Sequence, residues 1–171
     1  MKYLKNRNGF TLVELMLYIV LISGLLITLS VFVSLMLSAR IKSRTVSDVE
    51  ASGRIAIEQI EQSLRNATAV ASPTPGNSSA SLSLTTTTPG NNPTIYDLSS
   101  GTIRVNEGAG SPIDLTDPNT IEVTNLSFEN VARAGTPDII RITFTVSFDS
   151  GSSRNEYKYT KDFYGTAGRR D

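Results

Sequence analysis

The chain has 171 residues, with 16 Lys and Arg balanced by 16 Asp and Glu, and neither cysteine nor histidine. Disulfide stapling and thiol chemistry are excluded, and the commonest general base and transition-metal ligand are missing. A hydrolase would need a Ser–Lys or carboxylate arrangement, and no motif marks one. The neutral balance gives no electrostatic case for nucleic acid or an acidic substrate, and no stripe of basic and aromatic residues supports DNA binding.

The first segment, Met1-Lys2-Tyr3-Leu4-Lys5-Asn6-Arg7-Asn8-Gly9, is short, basic and ends in glycine. An apolar run follows over residues 10–39, interrupted only by Thr11, Glu14, Ser23, Gly24, Thr28, Ser30, Ser34 and Ser38. Glu14 is its one charged side chain. As a helix rising about 1.5 Å per residue the run reaches roughly 45 Å, beyond the roughly 30 Å of a bilayer's hydrocarbon. Its C-terminal part is therefore expected to project past the lipid. A carboxylate deep in lipid costs about 3 kcal/mol or more, so Glu14 asks for a partner or a function. A secretory signal peptide would place a shorter apolar stretch, roughly 7–15 residues, before a small-residue cleavage site. Here the run is about twice that length, and the glycine comes before it. Lys2, Lys5 and Arg7 on one side are matched by Arg40, Lys42 and Arg44 on the other, so charge sets no orientation. The interspersed serines and glycine would let neighbouring helices approach closely.

The register Gly9-Phe10-Thr11-Leu12-Val13-Glu14-Leu15 behind a basic leader resembles the start of a type IV pilin or type II secretion pseudopilin precursor. The resemblance implies that a prepilin peptidase on the cytoplasmic face cuts between Gly9 and Phe10 and methylates the new amine of Phe10. It also implies a single pass through the inner membrane, N-terminus cytoplasmic and head outside. Its implied partners are other pilin or pseudopilin subunits and the inner-membrane assembly platform. Glu14 would be the fifth residue of the mature chain, there to meet the N-terminal amine of a neighbour in the growing filament. Loss of three basic residues with the leader would leave 13 basic against 16 acidic, about −3. The chain departs from the family in having no cysteine for a C-terminal disulfide and no proline in the apolar run.

Past residue 39 the helical signal turns amphipathic. Val46, Val49, Gly53, Ile57, Ile60, Leu64 and Ala67 recur at three- and four-residue spacing and predict a stripe packed on a following sheet. Glu50 with Arg54, Arg54 with Glu58, and Glu61 with Arg65 stand four apart and are expected to pair. One helix over residues 10–67 results, with Gly24 and Gly53 as the points where it would bend.

Residues 71–94 are 20 parts in 24 Ser, Thr, Pro, Gly or Asn and read as a connecting loop, within which the period-two alternation of Ser81-Leu82-Ser83-Leu84-Thr85 suits a strand with one face buried. Strands are expected over 94–98 and 102–106 around a Ser100-Gly101 turn, then over 120–124 and 126–131. The strongest signal alternates Ile140, Ile142, Phe144, Val146 and Phe148 with polar residues. A loop from Asp149 to Ser153 then leads to a strand over 155–164, with Tyr157, Tyr159 and Phe163 facing inward, and a frayed tail over 165–171. Asp114, Asp117 and Glu122 make the one acidic cluster that tempts a calcium reading. They lack the dense alternating spacing of a calcium loop, and Asp117-Pro118-Asn119 reads as a turn, so neither metal nor cofactor is expected.

The expected fold is α+β, a long N-terminal helix packed on an antiparallel β-sheet head. Its parts are a leader over 1–9, a transmembrane and assembly helix over 10–39, an amphipathic half over 40–67 and a β-rich head over 68–171. Segments of the head also resemble minor pilins of the PilW type and the J-type minor pseudopilin. These are Gln62-Ser63-Leu64-Arg65-Asn66-Ala67, Ile95-Tyr96-Asp97-Leu98, Thr102-Ile103-Arg104 and Val123-Thr124-Asn125-Leu126-Ser127-Phe128. That likeness implies a low-abundance structural subunit, not an enzyme, that primes assembly. The alternatives are a major pilin and a monomeric membrane-anchored head that binds a ligand.

Overall fold

The computed structural model describes residues 9–133, 135–148, 151–152 and 154–169. The expected leader, apart from Gly9, lies outside the described residues, as do Asp149, Ser150 and Ser153 of the expected loop and Arg170 and Asp171 of the expected tail. The chain divides into two compact units, 1–40 and 41–171.

Helix α1, Leu12–Asn66, is 55 residues long. It runs unbroken through Gly24 and Gly53, so neither glycine interrupts it. In the first unit every residue over 9–37 is exposed, apolar side chains included. Three hydroxyls there are satisfied by the helix's own carbonyls, as membrane helices require. Ser23 donates to Ile19 O at 2.7 Å, Thr28 to Leu25 O at 2.8 Å and Ser34 to Ser30 O at 3.0 Å.

In the second unit α1 buries Thr45, Val49, Gly53, Ala56, Ile60 and Leu64, spaced three and four apart. The stripe is turned slightly from the expected one, with Val46 and Ile57 half-buried at its margin. Nine strands follow: β1 Ala69–Ser72, β2 Ser78–Ser79, β3 Leu82–Thr85, β4 Thr94–Ser99, β5 Thr102–Glu107, β6 Ile113–Asp114, β7 Ile121–Asn130, β8 Ile139–Phe148 and β9 Thr160–Gly168. They form two antiparallel sheets, ordered β1-β3-β4-β5-β6 and β2-β7-β8-β9. Both meet α1 in one core. Ser63 and Tyr96 share a 2.6 Å hydrogen bond on the first sheet. On the second, the Phe163 ring covers Gly53.

The expected β4–β5 turn is present: Ser100 and Gly101 both have positive φ, 50° and 75°, the geometry of a tight hairpin matched to strand twist. Three expectations change. The two strands over 120–124 and 126–131 are a single strand, β7, because Asn125, at φ 55°, inserts one extra residue opposite β8. This bulge reverses the alternation, so Val123 and Leu126 are both buried. The stretch over 71–94 is not all connection: the strand expected within 81–85 is present as β3, with Leu82 and Leu84 in the core, and β1 pairs with it. The final strand begins at Thr160 rather than 155, since residues Asn155–Tyr157 form a 3₁₀ turn, and Gly165–Gly168 pair with β8 instead of fraying. Of the three aromatics expected to face inward, Tyr159 and Phe163 pack against the core, whereas Tyr157 stacks on Phe148 in front of the strand.

Asn130 ends β7 and joins three segments. Fully buried, it donates from Nδ2 to Pro73 O and to Asp138 Oδ1, each at 3.0 Å, and accepts at Oδ1 from the Ala132 N–H at 3.2 Å. Asn130→Leu strands the Ala132 N–H and the Pro73 carbonyl, each expensive to leave unmade in the interior. Loss of about 2 kcal/mol is expected in urea unfolding of the detergent-solubilised chain. An unchanged midpoint would show that water replaces these bonds.

Candidate functional site

The chemistry suggested by the sequence sits at the start of α1. Gly9 and Phe10 precede the helix, and both are exposed. Thr11 caps it: Thr11 Oγ1 accepts from the Glu14 N–H at 3.2 Å, and Thr11 O accepts the first helical bond from Leu15 at 3.1 Å. The Thr-x-x-Glu spacing is that of a capping box, a local signal that a reading focused on charge passes over. Glu14 thus stands in the first turn, where the unpaired N–H groups and the helix dipole favour a negative group. Phe10 and Tyr18 meet edge to face, ring centroids 5.9 Å apart.

The Glu14 carboxylate has no hydrogen bond or ion pair among the described residues, although the hydroxyls of Ser23, Thr28 and Ser34 further along have found acceptors. Among the described residues, one charge without a partner therefore stands in the exposed apolar stretch over 10–37. Residues 4–23 match the prokaryotic N-terminal methylation motif. That motif is consistent with a type IV pilin or pseudopilin-like precursor, a kind of protein that assembles with other pilin subunits and is processed by prepilin peptidase. No curated protein and no solved structure matches the chain. The motif and α1 together indicate membrane anchoring, since α1 is long and apolar enough to cross a bilayer and none of its apolar window is buried.

The acidic residues weighed for calcium are placed apart in role. Asp117 orders its own turn, accepting from the Asn119 N–H, Asn119 Nδ2 and Thr120 Oγ1, each at 3.0 Å. Those bonds hold its carboxyl below the usual range. Asp114 stands across from Arg104, which also makes a two-pronged pair with Asp97. Among the described residues, no three His, Cys, Asp or Glu side chains converge as metal ligands.

Of the helix pairs, Glu61 with Arg65 forms at 2.6 Å, but Glu50 pairs with Lys161 on β9 at 2.7 Å rather than with Arg54. The Lys161 ammonium lowers the Glu50 carboxyl below its ordinary value. These pairs are solvated, and such surface contacts contribute little. A contact with no local sequence signal is that of Lys42, whose ammonium donates to Lys158 O at 2.6 Å and Asn155 O at 3.4 Å and lies over the Tyr159 ring.

Proposed function

We propose that the chain is a minor pilin or pseudopilin that primes or joins a type IV pilus or type II secretion pseudopilus. In this reading prepilin peptidase cuts between Gly9 and Phe10 and methylates the Phe10 amine. The subunit waits in the inner membrane, N-terminus cytoplasmic and head outside, until the assembly platform delivers it to the filament. There the Glu14 carboxylate pairs with the Phe10 amine of a neighbouring subunit. Two charges in a low-dielectric bundle are each costly alone, so pairing offsets desolvation and fixes the axial register.

One observation carries the reading: a methylation motif coincides with the single charge of the exposed apolar stretch over 10–37, a charge with no partner among the described residues. Mass spectrometry of the membrane-extracted chain tests it. The mature species is expected to lack residues 1–9 and to carry one added methyl on Phe10, whereas Gly9→Val is expected to accumulate uncut. A Gly9→Val chain that still loses residues 1–9 would show that the cut does not depend on Gly9, and a mature mass lacking any other number of residues would place the cut elsewhere. Quantitation in purified filaments separates a minor from a major subunit, since a major subunit would dominate the mass.

A further inference from the structure

The residues that follow the apolar run build a distinct end of the head. Lys42 holds the segment before β9 through the carbonyls of Asn155 and Lys158. Beside it Phe148 and Tyr157 stack with ring centroids 6.4 Å apart. With Ile41, Thr45 and Thr120 they line an open groove of about 310 Å³, with Arg44 and Asp48 at its rim. The basic groups at this end are Lys42, Arg44, Arg154 and Lys158. The acidic ones facing them are Asp48, 3.9 Å from Arg44, and Glu156, paired with Arg154; Asp117 flanks Arg44 in an adjoining groove. Among the described residues the excess here is positive, although the 12 basic and 15 acidic residues over 41–171 make that stretch negative as a whole.

We propose that this end is a foot that rests on acidic phospholipid headgroups while the subunit waits in the membrane. The inference depends on the anchoring reading above. Lys42 lies three residues beyond Ala39, about 4.5 Å along the helix axis. The apolar run outlasts the hydrocarbon layer but is about as long as the 40–45 Å of a bilayer with its headgroup regions, so the end that projects past the hydrocarbon lies at the outer headgroup layer, and tilting only draws it inward. Whatever the direction of tilt, the segment over 154–158 is tethered to that level by the Lys42 hydrogen bonds. Arg44 and Lys158, both exposed, supply charge for phosphate, and the half-buried Tyr157 supplies the amphipathic ring that suits an interface.

The chain has no cysteine, so a single probe site can be introduced cleanly. The full-length chain is reconstituted in vesicles of phosphatidylcholine with or without phosphatidylglycerol, each carrying nitroxide-headgroup lipid. A fluorophore is placed on Asn155→Cys or, as a reference, on Thr87→Cys, which shares a groove with Asn66 at the other end of α1. Quenching at position 155 is expected to exceed that at 87 severalfold in acidic vesicles. High salt and the double reversal Arg44→Glu, Lys158→Glu are expected to reduce it to the phosphatidylcholine level. Quenching at 155 that ignores lipid charge and the reversal overturns the foot, as does protection that appears only when a second copy is crosslinked alongside. Alkaline extraction of the same vesicles separates the two readings. A chain that resists extraction while the probe is indifferent to lipid charge rejects the foot alone, and a chain that washes out rejects the anchor and the foot with it.

Discussion

Glu14→Gln is expected to be cut and held in the membrane like the parent chain, yet to appear in filaments at about a hundredth of the parental level. The amide keeps the shape and hydrogen-bonding capacity of the side chain and removes only the charge. Within the chain that charge has nothing to do: the carboxylate is exposed and has no partner among the described residues. Its position in the first turn is worth about 0.3–1 kcal/mol through the helix dipole, too little to decide assembly. Between subunits the balance differs, because a neutral residue 14 would leave the neighbour's Phe10 amine as a lone cation in an apolar bundle. Removing one partner of a buried pair costs about 3–5 kcal/mol, which is at least two powers of ten in an equilibrium. Glu14→Ala should behave the same, since loss of charge is common to both. The measurement is the ratio of variant in sheared filaments to variant in the membrane pool, with mature masses confirming normal processing. Parental incorporation of both variants would remove any register role for this carboxylate.

The start of α1 was legible because its constraints are local in sequence. A basic stretch, a glycine, a membrane-length apolar run and one carboxylate at a fixed offset can be counted without a fold, and so can the long alternation of β8. What escaped depends on neighbours distant in sequence. The i,i+4 rule assigns Glu50 to Arg54 because it knows only its own helix, whereas Lys161 arrives from β9 and takes the carboxylate. In the polar stretch after α1 the alternation around Leu82 and Leu84 was readable, but β1 was not, because it orders only by pairing with β3. Gly165, Ala167 and Gly168 resemble a loose tail by composition. Gly165 is small because α1 lies close: a Cβ there would stand 3.0 Å from Ile57 Cγ2 and 3.2 Å from Glu61 Oε1. Small residues signal slack when read singly, and close approach when the opposing element is known.

Gly53 gives that ambiguity its sharpest test, because the two readings predict opposite signs. If the glycine is merely a weak point in a helix, Gly53→Ala should stabilise by about 1 kcal/mol through helix propensity alone. The structure predicts loss instead. An ideal Cβ on Gly53 falls well inside van der Waals distance of Cζ, Cε1 and Cε2 of Phe163. That ring has little room to withdraw. It stacks on the buried Phe144 with centroids 5.6 Å apart, and Lys161 Nζ lies 5.5 Å from its centroid. Overpacking of this kind costs about 1–3 kcal/mol, so Gly53→Ala should end about 1 kcal/mol less stable after its propensity gain, and the bulkier, β-branched Gly53→Val about 3 kcal/mol or more. Thermal unfolding of the full chain in detergent, followed by circular dichroism, reads both. Phe163→Leu shortens the opposing side chain, so the double variant with Gly53→Ala should lose less than the two single losses combined, the non-additivity expected of residues in contact. A rise in midpoint for Gly53→Ala would mean that the ring gives way and propensity decides. A strictly additive double variant would show that the cost of Gly53→Ala does not arise at its contact with Phe163.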